Sequence, residues 1–87
     1  MNKHEFSYAD NVWLVYIRKS GMDRRVLWAI YTSREQAIDC VRDSMRNVGV
    51  TRTQLYKDEP GYYEITGYSD LLHTYIRYAV EAWAVRE

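Results

Sequence analysis

Few residues in this chain carry reactive groups, and they are scattered: one thiol at Cys40, imidazoles at His4 and His73, and two acidic pairs, Asp39/Asp43 and Asp58-Glu59. Catalysis needs a nucleophile or base poised by a partner. Cys40 stands between Asp39 and Val41 within a helical pattern. It has no cationic neighbour in a helix N-terminal turn to activate it, so it reads as a passive, half-buried thiol. His4 falls in a polar lead-in and His73 in or near a turn, where each reads as a solvated side chain. Asp39 and Asp43 have Arg42 and Arg46 three residues further on, the spacing of a solvated ion-pair face rather than a cation site. Asp58-Glu59 precedes Pro60-Gly61, and turn chemistry accounts for it. The 4 glycines are separate singletons, so no phosphate-cradling loop is formed. A single cysteine excludes an intrachain disulfide and a cysteine-based zinc site. The expectation is a non-enzyme with no metal and no cofactor.

The groups left to act are cationic and aromatic. The 12 basic and 12 acidic residues cancel, so no gross field draws the chain to nucleic acid. Arginine dominates the basic set, and its planar fork stacks on rings and grips carboxylates. Arg18-Lys19 with Arg24-Arg25 around the first turn form a candidate nucleic-acid grip, and Arg42/Arg46 with Arg52 form a second basic patch near the helix end. The aromatic set is 9 Tyr and 3 Trp against 1 Phe. Tyr and Trp carry a polar atom that must reach water or a partner, so the imbalance places many rings at the rim of the core or on the surface. Rings of that kind are enriched at protein–protein interfaces. Trp13 and Trp28, in successive strands, read as cross-strand core neighbours. Tyr56, Tyr62, Tyr63 and Tyr68 bracket a turn, and two readings stand for them: rim of the core, or contact with a partner.

These side chains must be held by one small domain spanning residues 1–87, of which 1–11 read as a loosely ordered lead-in. Val12–Ile17 and Val26–Tyr31 are β-branched and aromatic runs joined by a Gly-containing link, the pattern of an antiparallel hairpin. Ser33-Arg34-Glu35-Gln36 has the form of a capping box. Behind it Ala37, Ile38, Val41, Met45 and Val48 recur at helical spacing, and Gly49 sits where a left-handed C-terminal residue belongs. The spacing predicts a helix over Ser33 to Val48. Val50–Tyr56 and Tyr62–Tyr68 flank the turn at Lys57–Gly61 and predict a second hairpin. Residues 69–87 fit either a helix face (Leu72, Ile76, Ala79, Val80, Trp83, capped by Ser69 or Asp70) or a strand. The β-prone Thr74–Tyr78 favours a long final strand. The expected fold is α+β, an antiparallel sheet in ββαβββ order with one amphipathic helix on one face. The rival is tandem ββα units with a C-terminal helix. One short helix cannot cover five strands, so the opposite face is expected to be partly apolar, exposed or covered by a partner, which makes a homodimer an expectation as well.

The start Met1–Phe6 leads into no apolar segment of signal-peptide type, and no run approaches the roughly 20 apolar residues of a membrane span. With its lone cysteine the chain reads as cytoplasmic, with no membrane partner.

The hairpin leading into Ile30-Tyr31-Thr32-Ser33-Arg34-Glu35-Gln36-Ala37, with the ending Ala79-Val80-Glu81-Ala82-Trp83-Ala84-Val85-Arg86-Glu87, resembles small phage-encoded α+β accessory proteins of the host-takeover or anti-defence type. In those chains a hairpin runs into a capped helix and an antiparallel strand closes the fold. The likeness is one of pattern over most of the chain and carries no functional residues across. It implies a phage or mobile-element source and a non-enzymatic inhibitor, anti-CRISPR-like, that occludes a surface of a host protein such as a defence effector. The alternative is a small nucleic-acid-binding regulator using the arginines of the first hairpin. The two part on salt: a phosphate binder loses affinity steeply, while an aromatic interface barely responds.

Overall fold

A computed structural model describes residues 11–84. The elements run β1 (Asn11–Lys19), β2 (Val26–Tyr31), α1 (Arg34–Asn47), β3 (Val50–Glu59), β4 (Tyr62–Ser69) and β5 (Thr74–Ala84). This is the α+β arrangement in ββαβββ order. The five strands form one antiparallel sheet in spatial order β2-β1-β5-β4-β3, so the last strand is threaded between the two hairpins. The lead-in expected over 1–11 lies outside the described residues up to position 10, and Asn11 is already the first residue of β1.

The helix forms where its signals stand. Ser33 is extended (φ −140°, ψ 152°) and its hydroxyl accepts from the Gln36 amide at 3.1 Å, satisfying one of the donors a helix start leaves over. At the other end Gly49 takes φ +68°, and its N–H donates to the Arg46 carbonyl at 3.2 Å. Ala37, Ile38 and Val41 are buried, with Met45 packed beside them. Fourteen residues give a helix about 21 Å long, shorter than the roughly 36 Å that the 11 residues of β5 span. A single helix of that size leaves part of its face of the sheet uncovered.

Beneath the helix lies the core: Trp13 and Val15 of β1, Tyr63 and Ile65 of β4, and Ile76, Tyr78 and Val80 of β5. Tyr78 is fully buried, and its hydroxyl is hydrogen-bonded to Ser44 on the helix at 2.9 Å. Gly67 is in β4 because nothing larger fits. A Cβ there would collide with Val50 Cγ1 and stand 3.0 Å from the Arg52 carbonyl oxygen, where β3 slips register between Val50 and Arg52.

The Ser69–His73 link explains why this stretch carries a helix signal and yet leads into a strand. Ser69 is fully buried, accepts from the Leu72 amide at 3.0 Å as a helix cap would, and donates to the Val48 carbonyl. His73 N–H reaches the Ser69 carbonyl at 2.8 Å, closing a single helical turn. His73 then turns left-handed at φ +55° and the chain leaves in extended form. The cap is real and governs one turn only.

The second hairpin and Trp28 differ from the sequence reading. β3 continues through Asp58-Glu59, so the second hairpin turns on Pro60-Gly61 alone and the acidic pair belongs to a strand rather than a turn. Trp28 is not a core neighbour of Trp13. The β1–β2 register shifts between Val15 and Tyr16, leaving Trp28 as the extra residue of a bulge, 56% exposed, while Trp13 pairs with Tyr31.

Candidate functional site

Side chains alternate across a strand, so each strand that sends apolar groups under the helix sends its other residues to the uncovered face. Residues paired directly across the sheet share a face, and the register therefore maps the open side. β1 contributes Val12, Leu14, Tyr16 and Arg18, and β2 contributes Leu27 and Ile30. β5 contributes Tyr75, Arg77, Ala79, Glu81 and Trp83, and β4 contributes Tyr62, Glu64, Thr66 and Tyr68. β3 adds Arg52, Gln54 and Lys57.

On this face cations lie over rings. The Arg25 guanidinium sits 3.8 Å from the centroid of Tyr16, Arg77 5.4 Å from Tyr56, Arg52 5.5 Å from Tyr68 and Lys57 6.0 Å from Tyr62. Tyr68 and Tyr75 meet edge to face at 5.0 Å. Carboxylates tie the cations down: Arg25 bonds Glu81 at 2.6 Å, and Arg77 bonds Glu64 at 3.1 Å. The Arg25 hydrogen bond, aided by the Trp83 indole N–H at 3.2 Å, holds the Glu81 carboxyl below the usual range against the opposing pull of burial. Burial, then the hydrogen bond Tyr62 donates to Glu64 at 2.8 Å, pushes the Tyr62 hydroxyl up to about 12. At the centre the short side chain of Ala79 leaves a cavity of about 200 Å³ ringed by Tyr16, Arg25, Tyr62, Glu64 and Arg77. Toward β2 the face turns apolar, with Leu27, Ile30 and Trp83 about half exposed.

The residues singled out in the sequence are divided by this geometry. Of the four tyrosines, Tyr56, Tyr62 and Tyr68 reach the open face, but Tyr63 is 8% exposed in the core. Tyr63 follows Tyr62 by one position and must point the other way, so it is removed from the candidate contact set. Of the first basic group, Arg18 donates to the Met22 carbonyl and Arg25 to Glu81, whereas Arg24 and Lys19 are exposed. The second basic patch is split, because Arg42 and Arg46 ride on the helix and Arg52 on the opposite side of the sheet. Asp39 and Asp43 are exposed and face Arg42 at 3.8 Å and Arg46 at 2.8 Å. Asp58 pairs with Arg34. Among the described residues no cluster of three or more His, Cys, Asp or Glu is arranged to hold a metal ion. Cys40 is half-buried beside Tyr31, whose hydroxyl it pushes above the usual range. His73 lies in the turn, and His4 lies outside the described residues.

Sequence reasoning passed over Tyr16, Arg77 and Trp83. For Arg77 and Trp83 the signal was the alternation in β5, where Arg77, Glu81 and Trp83 read from the sequence as one face of a strand. For Tyr16 it was the alternation with Trp13 and Val15 in β1, and the two faces join only once β5 is known to lie beside β1. No protein-family pattern matches this chain, and no curated protein or solved structure shows significant similarity to it. No helix among the described residues is long and apolar enough to cross a membrane.

Proposed function

We propose that this chain is a non-enzymatic protein-binding module whose open sheet face is the contact surface. The observation that carries the reading is the face itself: tyrosines, arginines and a tryptophan presented on rigid central strands, with the helix on the other side. Such rings offer large contact area at low entropic cost, and Arg, Tyr and Trp are the residues in which binding energy concentrates. From the likeness of the hairpin–helix and closing strand to small phage accessory proteins comes the particular role, a cytoplasmic inhibitor that covers a surface of a host protein such as a defence effector. A second copy of the chain is a further partner this surface admits.

The test is affinity capture from a bacterial lysate, followed by titration of the captured protein with Tyr56→Ala and Tyr62→Ala. Truncating an anchoring ring costs about 2 kcal/mol or more, roughly 30-fold in affinity. Both variants should keep the unfolding midpoint within a few degrees while at least one loses binding. Undiminished affinity in both would remove the open face from the contact.

A second reading, nucleic-acid binding, is favoured by one observation. The open face carries Arg18, Arg25, Arg52, Lys57 and Arg77 against Glu59, Glu64 and Glu81, a cationic surplus on a chain of zero formal net charge. Cations interleaved with rings suit single strands, where bases stack and phosphates lie alongside. That reading requires binding of a mixed-sequence oligonucleotide that weakens steeply between low and moderate salt, and that is lost in Arg18→Gln with Arg25→Gln.

A further inference from the structure

A sheet has two edges, and this one treats them differently. The outer strand β3 carries Arg52, Lys57, Asp58 and Glu59 and breaks register twice, after Val50 and after Leu55. Charges and bulges are the means by which an edge is kept from pairing with another chain. The outer strand at the other end, β2, reads Val-Leu-Trp-Ala-Ile-Tyr with no charge, and Val26, Leu27, Trp28 and Ile30 are each about half exposed. Among the described residues its outward backbone groups have no partner strand.

The face pattern of β2 says what fits there. Val26, Ala29 and Tyr31 lie opposite Ile17, Val15 and Trp13 and so belong to the helix side, while Leu27 and Ile30 lie opposite Tyr16 and Leu14 on the open side. Two antiparallel copies related by a two-fold axis use all six residues in one register, with Val26 opposite Tyr31, Leu27 opposite Ile30 and Trp28 opposite Ala29. In that register the helix-side residues Val26 and Tyr31 meet each other, the open-side residues Leu27 and Ile30 meet each other, and the bulge residue Trp28 meets Ala29 beside the axis. Shifting it by one residue sets Leu27 against Tyr31 and mismatches the faces. A pairing of β2 with the charged β3 of another copy would set uncharged apolar groups against Lys and Glu and would propagate without closing.

We infer that β2 is a self-pairing edge, and that two copies of this chain join through it into a closed dimer with one ten-stranded sheet. The two-fold axis stands perpendicular to the sheet, so both helices lie on the same side and the two open faces become one. At its centre Leu14, Leu27 and Ile30 of each copy form an apolar belt, with a tyrosine–arginine field on either flank. Six residues a side make a small interface, so the association is weak and depends on concentration. The inference does not require the open face to bind a host protein.

Sedimentation velocity on the full chain, over roughly 5–500 μM to span weak association, should show a shift from 10.4 kDa toward twice that mass. Leu27→Lys with Ile30→Lys places lysine against lysine twice across the axis and should hold the protein at monomer mass, with its far-UV circular dichroism unchanged because both positions face solvent. Mixing it with Leu27→Glu/Ile30→Glu should restore a dimer. Tyr56→Ala, on the far edge, should dimerise normally. Hydrogen exchange on the unaltered chain gives a reading free of mutation: β2 amides should slow as concentration rises, and β3 amides should not. A monomer throughout the range, a dimer that survives the double lysine, a dimer lost with Tyr56→Ala, or β2 exchange independent of concentration would each overturn the edge pairing. A monomeric chain that still captures its target through Tyr56 and Tyr62 would overturn the dimer alone and leave the proposed function standing.

Discussion

Tyr62 and Tyr63 are neighbours in the chain and opposites in use. Tyr63 is buried under the helix beside Ile65 and Trp13, where its ring serves as core volume. Tyr62 lies on the open face, hydrogen-bonded to Glu64 with Lys57 over its ring. The same division runs through β5, where Ile76, Tyr78 and Val80 are almost wholly enclosed while Tyr75 and Trp83 are more than half exposed. One face has spent its aromatic area on packing, and the other holds it in reserve behind a lattice of ion pairs and stacked cations. What separates them is a single helix of fourteen residues. Tyrosine stands on both sides of the sheet, with Tyr31, Tyr63 and Tyr78 toward the helix and Tyr16, Tyr62, Tyr68 and Tyr75 away from it, so what distinguishes the faces is how far the rings are covered.

The sharpest break of that comparison is Tyr63→Ala. Removing a buried ring costs about 3–5 kcal/mol, a large share of the stability of a domain of this size. Tyr62→Ala should keep most of its stability. Chemical unfolding of the two variants side by side reads the difference, and equal losses would erase the distinction between the faces. Next comes Gly67→Ala. The added methyl must displace Val50 or the β3 backbone, a helix-side overpacking of about 1–3 kcal/mol, whereas the open-face Thr66→Ala one residue earlier should change stability by less than about 1 kcal/mol. Ser33→Ala then tests the attachment of the cover itself. Loss of the cap should cost about 0.5–2 kcal/mol and lower the unfolding midpoint, and an unchanged midpoint would remove Ser33 from that role.

Local signals were legible in the sequence wherever a few adjacent residues decide the outcome. Ser33 and Gly49 bound the helix at the positions their chemistry requires, and Val26–Tyr31 is the strand its β-branched run announces. The final strand was legible too, on the strength of Thr74–Tyr78, although Ser69 offered a true cap to the rival helix. What the sequence withheld was non-local. Nothing in β5 itself says that it lies between β1 and β4, and without that placement Arg77, Glu81 and Trp83, legible as one face of a strand, cannot be joined to the residues of its neighbours. Trp28 escaped for a related reason, since a bulge is a property of two paired strands and not of one. Of the candidate tyrosines, alternation alone separated Tyr62 from Tyr63, but which of the two was covered depended on where the helix came to rest.

The smallest expected effect concerns the ion pairs of the open face, and its sign distinguishes stability from binding. Glu81 is held below its ordinary value of 4.5 chiefly by its hydrogen bond to Arg25. A carboxyl whose folded pKa is depressed contributes stability that is fully present above the unfolded value and is lost as the pH falls through the folded one. The pair is partly exposed, with Arg25 44% accessible, so Glu81→Gln should cost only about 0.2–1 kcal/mol near neutrality. That cost should shrink in high salt and disappear in acid, once the unaltered carboxyl is itself protonated. Tyr62 runs the opposite way. Its folded pKa is raised to about 12, so its contribution is complete below the ordinary tyrosine value and is lost as the pH rises through the folded one. Absorbance at alkaline pH should accordingly show at least one ring ionising near 12, and Glu64→Gln should bring that midpoint down by replacing a charged acceptor with a neutral one. If neither midpoint nor stability responds, the open face has no organised polar lattice, and its rings differ from those of the core only in being uncovered.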